Sequence, residues 1–313
     1  MLSRTSVSQA LGLPVVSALA LVLTMLLALS GCSAATPEAP PPLRPLPEQA
    51  RQDNGDLYAR GCSSGYKDPE VHPCVFDDSA AEDSPVVVAV GDSKVAQWMP
   101  ALQELATRHH WKLISMTKSG CPFSEIHRQR VKGEYTSCVT WNDAALEQVK
   151  ELKPDLLVTT QFPRYPALVN GRRVDDPANR EELVRGLSAR ISAVQDAGIP
   201  VATIAETPIM GFNTPACVQQ HPDDLDLCAR PRAEVTADSG LVAAAAGRSG
   251  APVVDLIDDF CTETTCPAVR DGYLLYRDDH HTTATFIRTL APDLAAGLTS
   301  GLETGLSTRL LGP

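Results

Sequence analysis

The stretch VVVAVGDSKVAQW, residues 86–98, runs from five apolar residues through Gly91-Asp92-Ser93-Lys94 into the opening turns of a helix. A short, mostly β-branched run of this kind reads as a buried strand. The Gly-Asp-Ser turn that follows has two readings. Asp and Ser are favoured helix N-caps and Gly suits a sharp turn, so the turn serves structure alone. In the other reading it presents Ser93 as a nucleophile, which needs a base within hydrogen-bond reach and a third group to orient that base.

A base is available in YRDDHHTTATF, residues 276–286. Asp278 and His281 form a D-x-x-H pair on a loop that opens the last helix. His280 makes the base ambiguous by one residue; the spacing favours His281 and leaves His280 for solvent. Adjacent Asp and His side chains rarely all point at one ion, and the cysteines show no zinc spacing, so no metal and no cofactor are expected.

Apolar runs of strand length recur at 86–90, 111–117, 155–160, 201–207 and 252–257. Between them lie VAQWMPALQELATRH, VTWNDAALEQVKEL and REELVRGLSARISAVQDAG, with apolar residues recurring at three and four. That alternation predicts an α/β fold, a flavodoxin-like three-layer sandwich with a mainly parallel five-stranded sheet. A last helix is expected over about 282–298. The working site of such a sheet lies beyond the carboxyl ends of its strands, where Ser93 and the loop after the fifth strand both emerge. Trp98, Trp111 and Trp141 read as core, and His109 and His110 as cations suited to a helix end. Arg164 and Tyr165, beyond the third strand, are expected to line the cleft.

The N-terminus sets the compartment. LGLPVVSALALVLTMLLALSG, residues 11–31, carries no charge and follows Arg4. It reads as a signal peptide over 1–32 or as a retained membrane anchor. Its end, LALSGC, resembles the bacterial lipobox and makes Cys32 the lipidated residue. Residues 33–57 begin SAATPEAPPPLRPLPEQARQDN and read as a Pro-rich spacer, followed by a domain over 58–300 and a tail over 301–313. The other eight cysteines read as disulfides of an exported chain. Sequential pairing is the economical choice: Cys62 with Cys74, Cys121 with Cys138, Cys217 with Cys228, Cys261 with Cys266. A net charge of −11 gives no footprint for nucleic acid and disfavours peripheral binding to anionic lipid. The N-terminal anchor is then the link to the membrane.

VAVGDSKVAQWMPAL, TKSGCPFS, YTSCVTW, KPDLLV and DDHHTT resemble, in order, the blocks of the SGNH/GDSL hydrolase family, particularly the SGNH domains attached to acyltransferase-3 membrane proteins that modify cell-envelope glycans. The resemblance spans about residues 60–298. It implies Ser93 as nucleophile, His281 as general base and Asp278 as the group that orients it. It further implies that Gly120 gives a backbone N–H to an oxyanion hole shared with the N–H of Ser93. Three departures stand out. Lys94 replaces the usual His of GDSH, facing solvent or attracting an anionic glycan. Thr282 and Thr283 follow His281 where Leu-Thr is usual. No Asn stands after the third strand as a third oxyanion donor; Gln161 has the right amide chemistry, and its plainer reading is an exposed loop glutamine.

The expected function is that of an exported, membrane-anchored serine esterase or O-acyltransferase acting on O-acyl groups, foremost acetyl, of envelope glycans. Water as acceptor makes it an esterase and a sugar hydroxyl a transferase. The chain carries no acyltransferase membrane bundle, which favours hydrolysis, although a separate membrane acyltransferase partner would supply acyl groups. The rival reading is a catalytically silent module of the same fold that binds envelope glycan or partner proteins.

Overall fold

Alternate residues of one strand, Val86–Gly91, belong to two different cores. Val87 and Ala89 pack in one cluster with Trp98, Leu102 and Trp111, whereas Val88 and Val90 pack in another with Trp141, Leu157 and Leu187. Side chains of a strand alternate between faces, so a run with no polar residue must be covered on both sides. The computed structural model describes residues 42–76, 81–131 and 133–312, and those from Pro42 onward form one compact unit. The expected signal segment 1–32, Cys32 and residues 33–41 of the expected spacer lie outside the described residues. Among the described residues no helix is long and apolar enough to cross a membrane.

The first twelve strands in chain order are β1 (Ser63–Ser64), β2 (Cys74–Phe76), β3 (Val86–Gly91), β4 (Lys112–Lys118), β5 (His127–Arg130), β6 (Gly133–Glu134), β7 (Leu156–Thr159), β8 (Ala167–Val169), β9 (Arg172–Arg173), β10 (Val201–Ile204), β11 (Arg230–Pro231) and β12 (Val253–Val254), and three short strands follow them. The central sheet runs β1-β4-β3-β7-β10-β12, all parallel, with β2 added antiparallel to β4. The five expected strands thus stand in the flavodoxin-like order, second, first, third, fourth, fifth. The sheet has seven strands rather than five because β1 and β2 join it at the β4 edge. These are two and three residues long, too short for a hydrophobic pattern, and the Cys62–Cys74 disulfide staples them together. The other three disulfides, Cys121–Cys138, Cys217–Cys228 and Cys261–Cys266, also follow the sequential pairing. Four disulfides in one domain belong to an oxidising compartment outside the cytoplasm.

Two expected boundaries move. Residues 42–57 are not a spacer. Ala50, on the helix Pro47–Ala50, is buried with Val218, Cys228 and Leu274, and Leu57 is buried in the first core. Asp53 accepts the N–H of Ala284 on its carbonyl (2.9 Å) and that of Thr285 on its carboxylate (3.0 Å). A distant segment thereby satisfies N–H groups that the first turn of a helix leaves without partners. Nor are residues 301–313 a loose tail: the helix Thr304–Leu311 buries Leu310, whose carbonyl accepts from the Trp111 indole. The expected last helix is two, Ala284–Thr289 and Ala291–Gly301, because Pro292 lacks the N–H that a continuous helix would need. Pro100 divides the expected helix at 95–109 in the same way, into Ser93–Ala96 and Met99–His109.

Replacing Asp53 by Ala strips a capping carboxylate from the helix that follows His281. A loss of ~1 kcal/mol in stability is expected, read by urea unfolding. A chain beginning at residue 58 is expected to lose more, because the packing of Ala50 and Leu57 goes with it.

Candidate active site

The capping role of the Gly-Asp-Ser turn falls to Asp92 rather than to Ser93. Gly91 has φ +150°, and a Cβ there would lie 2.7 Å from Val95 Cγ2, so the strand can turn this sharply only at glycine. Asp92 is the N-cap. Its buried carboxylate accepts the N–H of Lys94 (2.8 Å), the N–H of Phe162 (3.0 Å) and the hydroxyl of Tyr165 (2.7 Å). Asp92 therefore ties the end of β3 to the loop leaving β7. Ser93, one residue on, is left with its hydroxyl free to meet the loop at 278–281.

His281 closes the constellation across 188 residues of sequence: Nε2 lies 2.8 Å from Ser93 Oγ. Its Nδ1 lies 2.8 Å from Asp278 Oδ2, while Asp278 Oδ1 accepts the N–H groups of His280 (3.0 Å) and His281 (2.6 Å). Burial pushes the Asp278 carboxyl up, but the hydrogen bond and charge of His281 and the two backbone N–H groups outweigh it and hold the carboxyl well below its usual range. An ionised carboxylate only accepts, so Nδ1 carries the proton and Nε2 is free to accept from Ser93. Burial drives His281 down to about 4, helped by the nearby Lys94 charge and opposed by Asp278. The ring is neutral at physiological pH.

Lys94 departs from both expectations. It neither faces solvent nor enters the cleft; it is buried, and its Nζ donates to Thr207 Oγ1 (3.0 Å) and to the carbonyl of His280. Burial draws its pKa down to about 8 against the pull of Asp92 and Asp278. The residues on either side of Ser93 thus grip opposite walls of the site, Asp92 the β7 loop and Lys94 the histidine loop. His280 is half-buried rather than solvent-facing, its ring 4.9 Å from that of Phe162 and 4.0 Å from that of His281. Donor atoms of Asp278, His280 and His281 lie within 4.8 Å of one another. Asp278 is nevertheless occupied by three N–H donors, which does not suit it to a metal.

Ser93 and His281 open into a cavity of about 460 Å³ that Gly120, Tyr165 and Asn54 also line. Gly120 has φ +57° and follows Ser119 on the loop leaving β4. Neither its N–H nor that of Ser93 meets an acceptor among the described residues. Gln161 does not join them. It is buried, is not part of the cavity wall, and its amide atoms find no partner among the described residues, so it is neither the exposed glutamine nor the donor of the sequence reading. Arg164 also stays outside, exposed and paired with Asp238, whereas Tyr165 lines the cleft as expected. Asn54 was hidden inside an apparent spacer. Nothing local in the sequence marks it; only the packing of 42–57 brings it to the site.

A family model described as SGNH domain (fused to AT3 domains) matches residues 61–296. The chain belongs to this family of SGNH domains. Among solved structures, the periplasmic domain of the lipopolysaccharide acetyltransferase of Salmonella ser. Paratyphi A superposes with TM-score 0.56 at 14% identity, covering 80% of this chain and 96% of that one. LAE5, an alpha/beta hydrolase enzyme from the metagenome of Lake Arreo, Spain, gives TM-score 0.38 at 16% identity, covering 72% and 97%. No curated protein matches the chain by sequence.

The electrostatics predict that the His281 ring, followed by NMR, titrates near 4, below the ordinary histidine value of about 6.5. Lys94→Met removes a positive charge that disfavours the imidazolium, so the same titration is expected to move upward.

Proposed function

We propose that the protein is a serine-dependent acyl-group hydrolase or transferase acting on O-acyl groups, foremost acetyl, of cell-envelope glycans. The observation that carries this reading is the unbroken chain from Ser93 Oγ through His281 to Asp278, two contacts of 2.8 Å. Neutral His281 takes the hydroxyl proton as Ser93 attacks the acyl carbonyl. The N–H groups of Ser93 and Gly120 hold the resulting oxyanion. His281 then protonates the departing sugar oxygen, leaving an acyl-enzyme. A second hydroxyl, of water or of a sugar, gives its proton to His281 as it attacks the acyl carbonyl; His281 passes that proton to the departing Ser93 Oγ as the ester bond breaks, and the acyl group leaves on the acceptor.

Asn54 fits the third donor that Gln161 does not provide: it lines the same cavity as Ser93 and Gly120 and carries a side-chain amide. The family's fusion to AT3 domains supports a glycan substrate and an acyltransferase-3 membrane protein as acyl donor. The periplasmic lipopolysaccharide acetyltransferase domain that shares the fold supports the same substrate class. Export by the apolar segment at 11–31, with lipidation at Cys32 or a retained helix, completes the reading and agrees with the four disulfides. A silent binding module, which the Lys94 departure and the missing Asn donor would favour, is less well supported, because Lys94 sits behind the triad and leaves the cleft open.

The test is turnover of an activated acetyl ester together with labelling by a fluorophosphonate. Ser93→Ala is expected to abolish both, and His281→Ala to lower turnover by ~10⁴ or more. Asn54→Ala is expected to cost ~10²–10³ in kcat if its amide holds the oxyanion. Folded wild-type protein that neither turns over nor labels would overturn the enzymatic reading in favour of a binding module.

A further inference from the structure

The protein carries a net charge of −11, yet the cavity at Ser93 has no Asp or Glu in its wall and is flanked by Arg128 and Arg277. A second cavity of about 470 Å³ continues from it, sharing Tyr66 and Arg128 and adding Arg130 and Arg173, again with no carboxylate in its wall. Arginines on other surfaces, such as Arg185, Arg232 and Arg248, sit against Glu182, Asp258 and Glu181. Arg128, Arg130 and Arg277 have no such partner among the described residues. Arg173 has only the exposed Asp175 at 3.6 Å, a pair of little strength.

Arg128 is the most telling. It is 8% exposed, with no ion pair among the described residues and no partner for its Nε. It is held by donation to the carbonyls of Gly120 and Gln129 and by stacking 4.0 Å above the Tyr165 ring. A buried cation without a counter-ion is costly. Arg130 is exposed but also pre-set, its guanidinium 3.9 Å over the ring of Tyr66, which is itself 45% exposed. A guanidinium fixed on an aromatic face loses little freedom when it takes up a carboxylate or phosphate with two parallel hydrogen bonds.

We propose that this groove binds an acidic glycan, seating a sugar carboxylate or a phosphodiester against Arg128 and Arg130 while the neighbouring acylated sugar lies at Ser93. As a statement about substrate it rests on the acyl-transfer reading; as a statement about binding it does not.

The test uses the full chain in detergent carrying Ser93→Ala, so that binding is read without turnover. The probes are an O-acetylated oligogalacturonate, its carboxyl-reduced neutral counterpart and a glycerol-phosphate oligomer, each titrated by calorimetry. At least one anionic oligomer is expected to bind about tenfold or more tighter than the neutral one, in keeping with charged hydrogen bonds. Its advantage should shrink as salt rises. Which anionic oligomer shows it identifies carboxylate or phosphodiester as the recognised group. Arg130→Gln should remove most of the preference and Arg130→Lys retain part of it; Arg130 is exposed, so neither change disturbs the core. Equal binding of all three oligomers, or a preference untouched by Arg130→Gln, overturns the proposal. Failure of the wild type to label with fluorophosphonate, with Arg130-dependent binding intact, would instead remove the acyl-transfer reading and leave the groove standing.

Discussion

The buried carboxylate of Asp92 is the constraint on which the site depends. A charge placed at the end of the central strand and removed from water is tolerable only when its oxygens are satisfied, and three donors from two loops do so. One of them caps the helix that Ser93 opens, and the other two bring the β7 loop against the end of β3. Loss of the carboxylate would leave those donors buried and unpaired, which costs more than the hydrogen bonds themselves contribute. Phe162 and Tyr165, which wall the cleft, are held by the same group that positions the serine.

Lys94 performs the matching task on the other side. Its ammonium is tied to Thr207, just beyond β10, and to the carbonyl of His280, so the histidine loop is fixed to the Gly-Asp-Ser turn by the residue next to Ser93. The arrangement also sets the chemistry. Burial and the lysine charge both oppose protonation of His281, while Asp278 favours it, and the outcome is a ring ready to receive a proton rather than one already carrying it. A base that is neutral over most of the pH range trades basicity for availability.

What could be read in the sequence were the features whose physics is local or strictly ordered. Val86–Gly91 announces a doubly covered strand because no polar residue interrupts it, and the alternation of strand and helix implies a mainly parallel sheet. Ser93, Asp278 and His281 are legible because a strand-to-helix turn and a D-x-x-H loop must emerge on one edge of a parallel sheet. The four cystines are legible because each joins neighbours in sequence. What escaped depends on long-range packing. Pro-rich composition at 42–57 masks Leu57 and Ala50, whose burial needs partners far along the chain. Lys94 reads as a surface charge until Thr207 and the His280 carbonyl come within reach. Gln161 has the right chemistry and the wrong direction, which no spacing rule reveals.

Net charge illustrates the same limit from the other side. An acidic chain argues against nucleic acid and anionic membranes because those partners sense the field of the whole surface. A single glycan strand in a groove senses mainly what lies within about a Debye length, some 8 Å at physiological salt. The groove wall carries Arg128, Arg130 and Arg277 and no carboxylate, while the nearby Asp92 and Asp278 lie behind it, taken up by N–H and O–H donors of the site. The overall acidity and the cationic groove are therefore compatible. In the proposed binding mode an acidic exterior repels anionic polymers that have no fit, while the arginine-lined groove accommodates one that reaches Ser93.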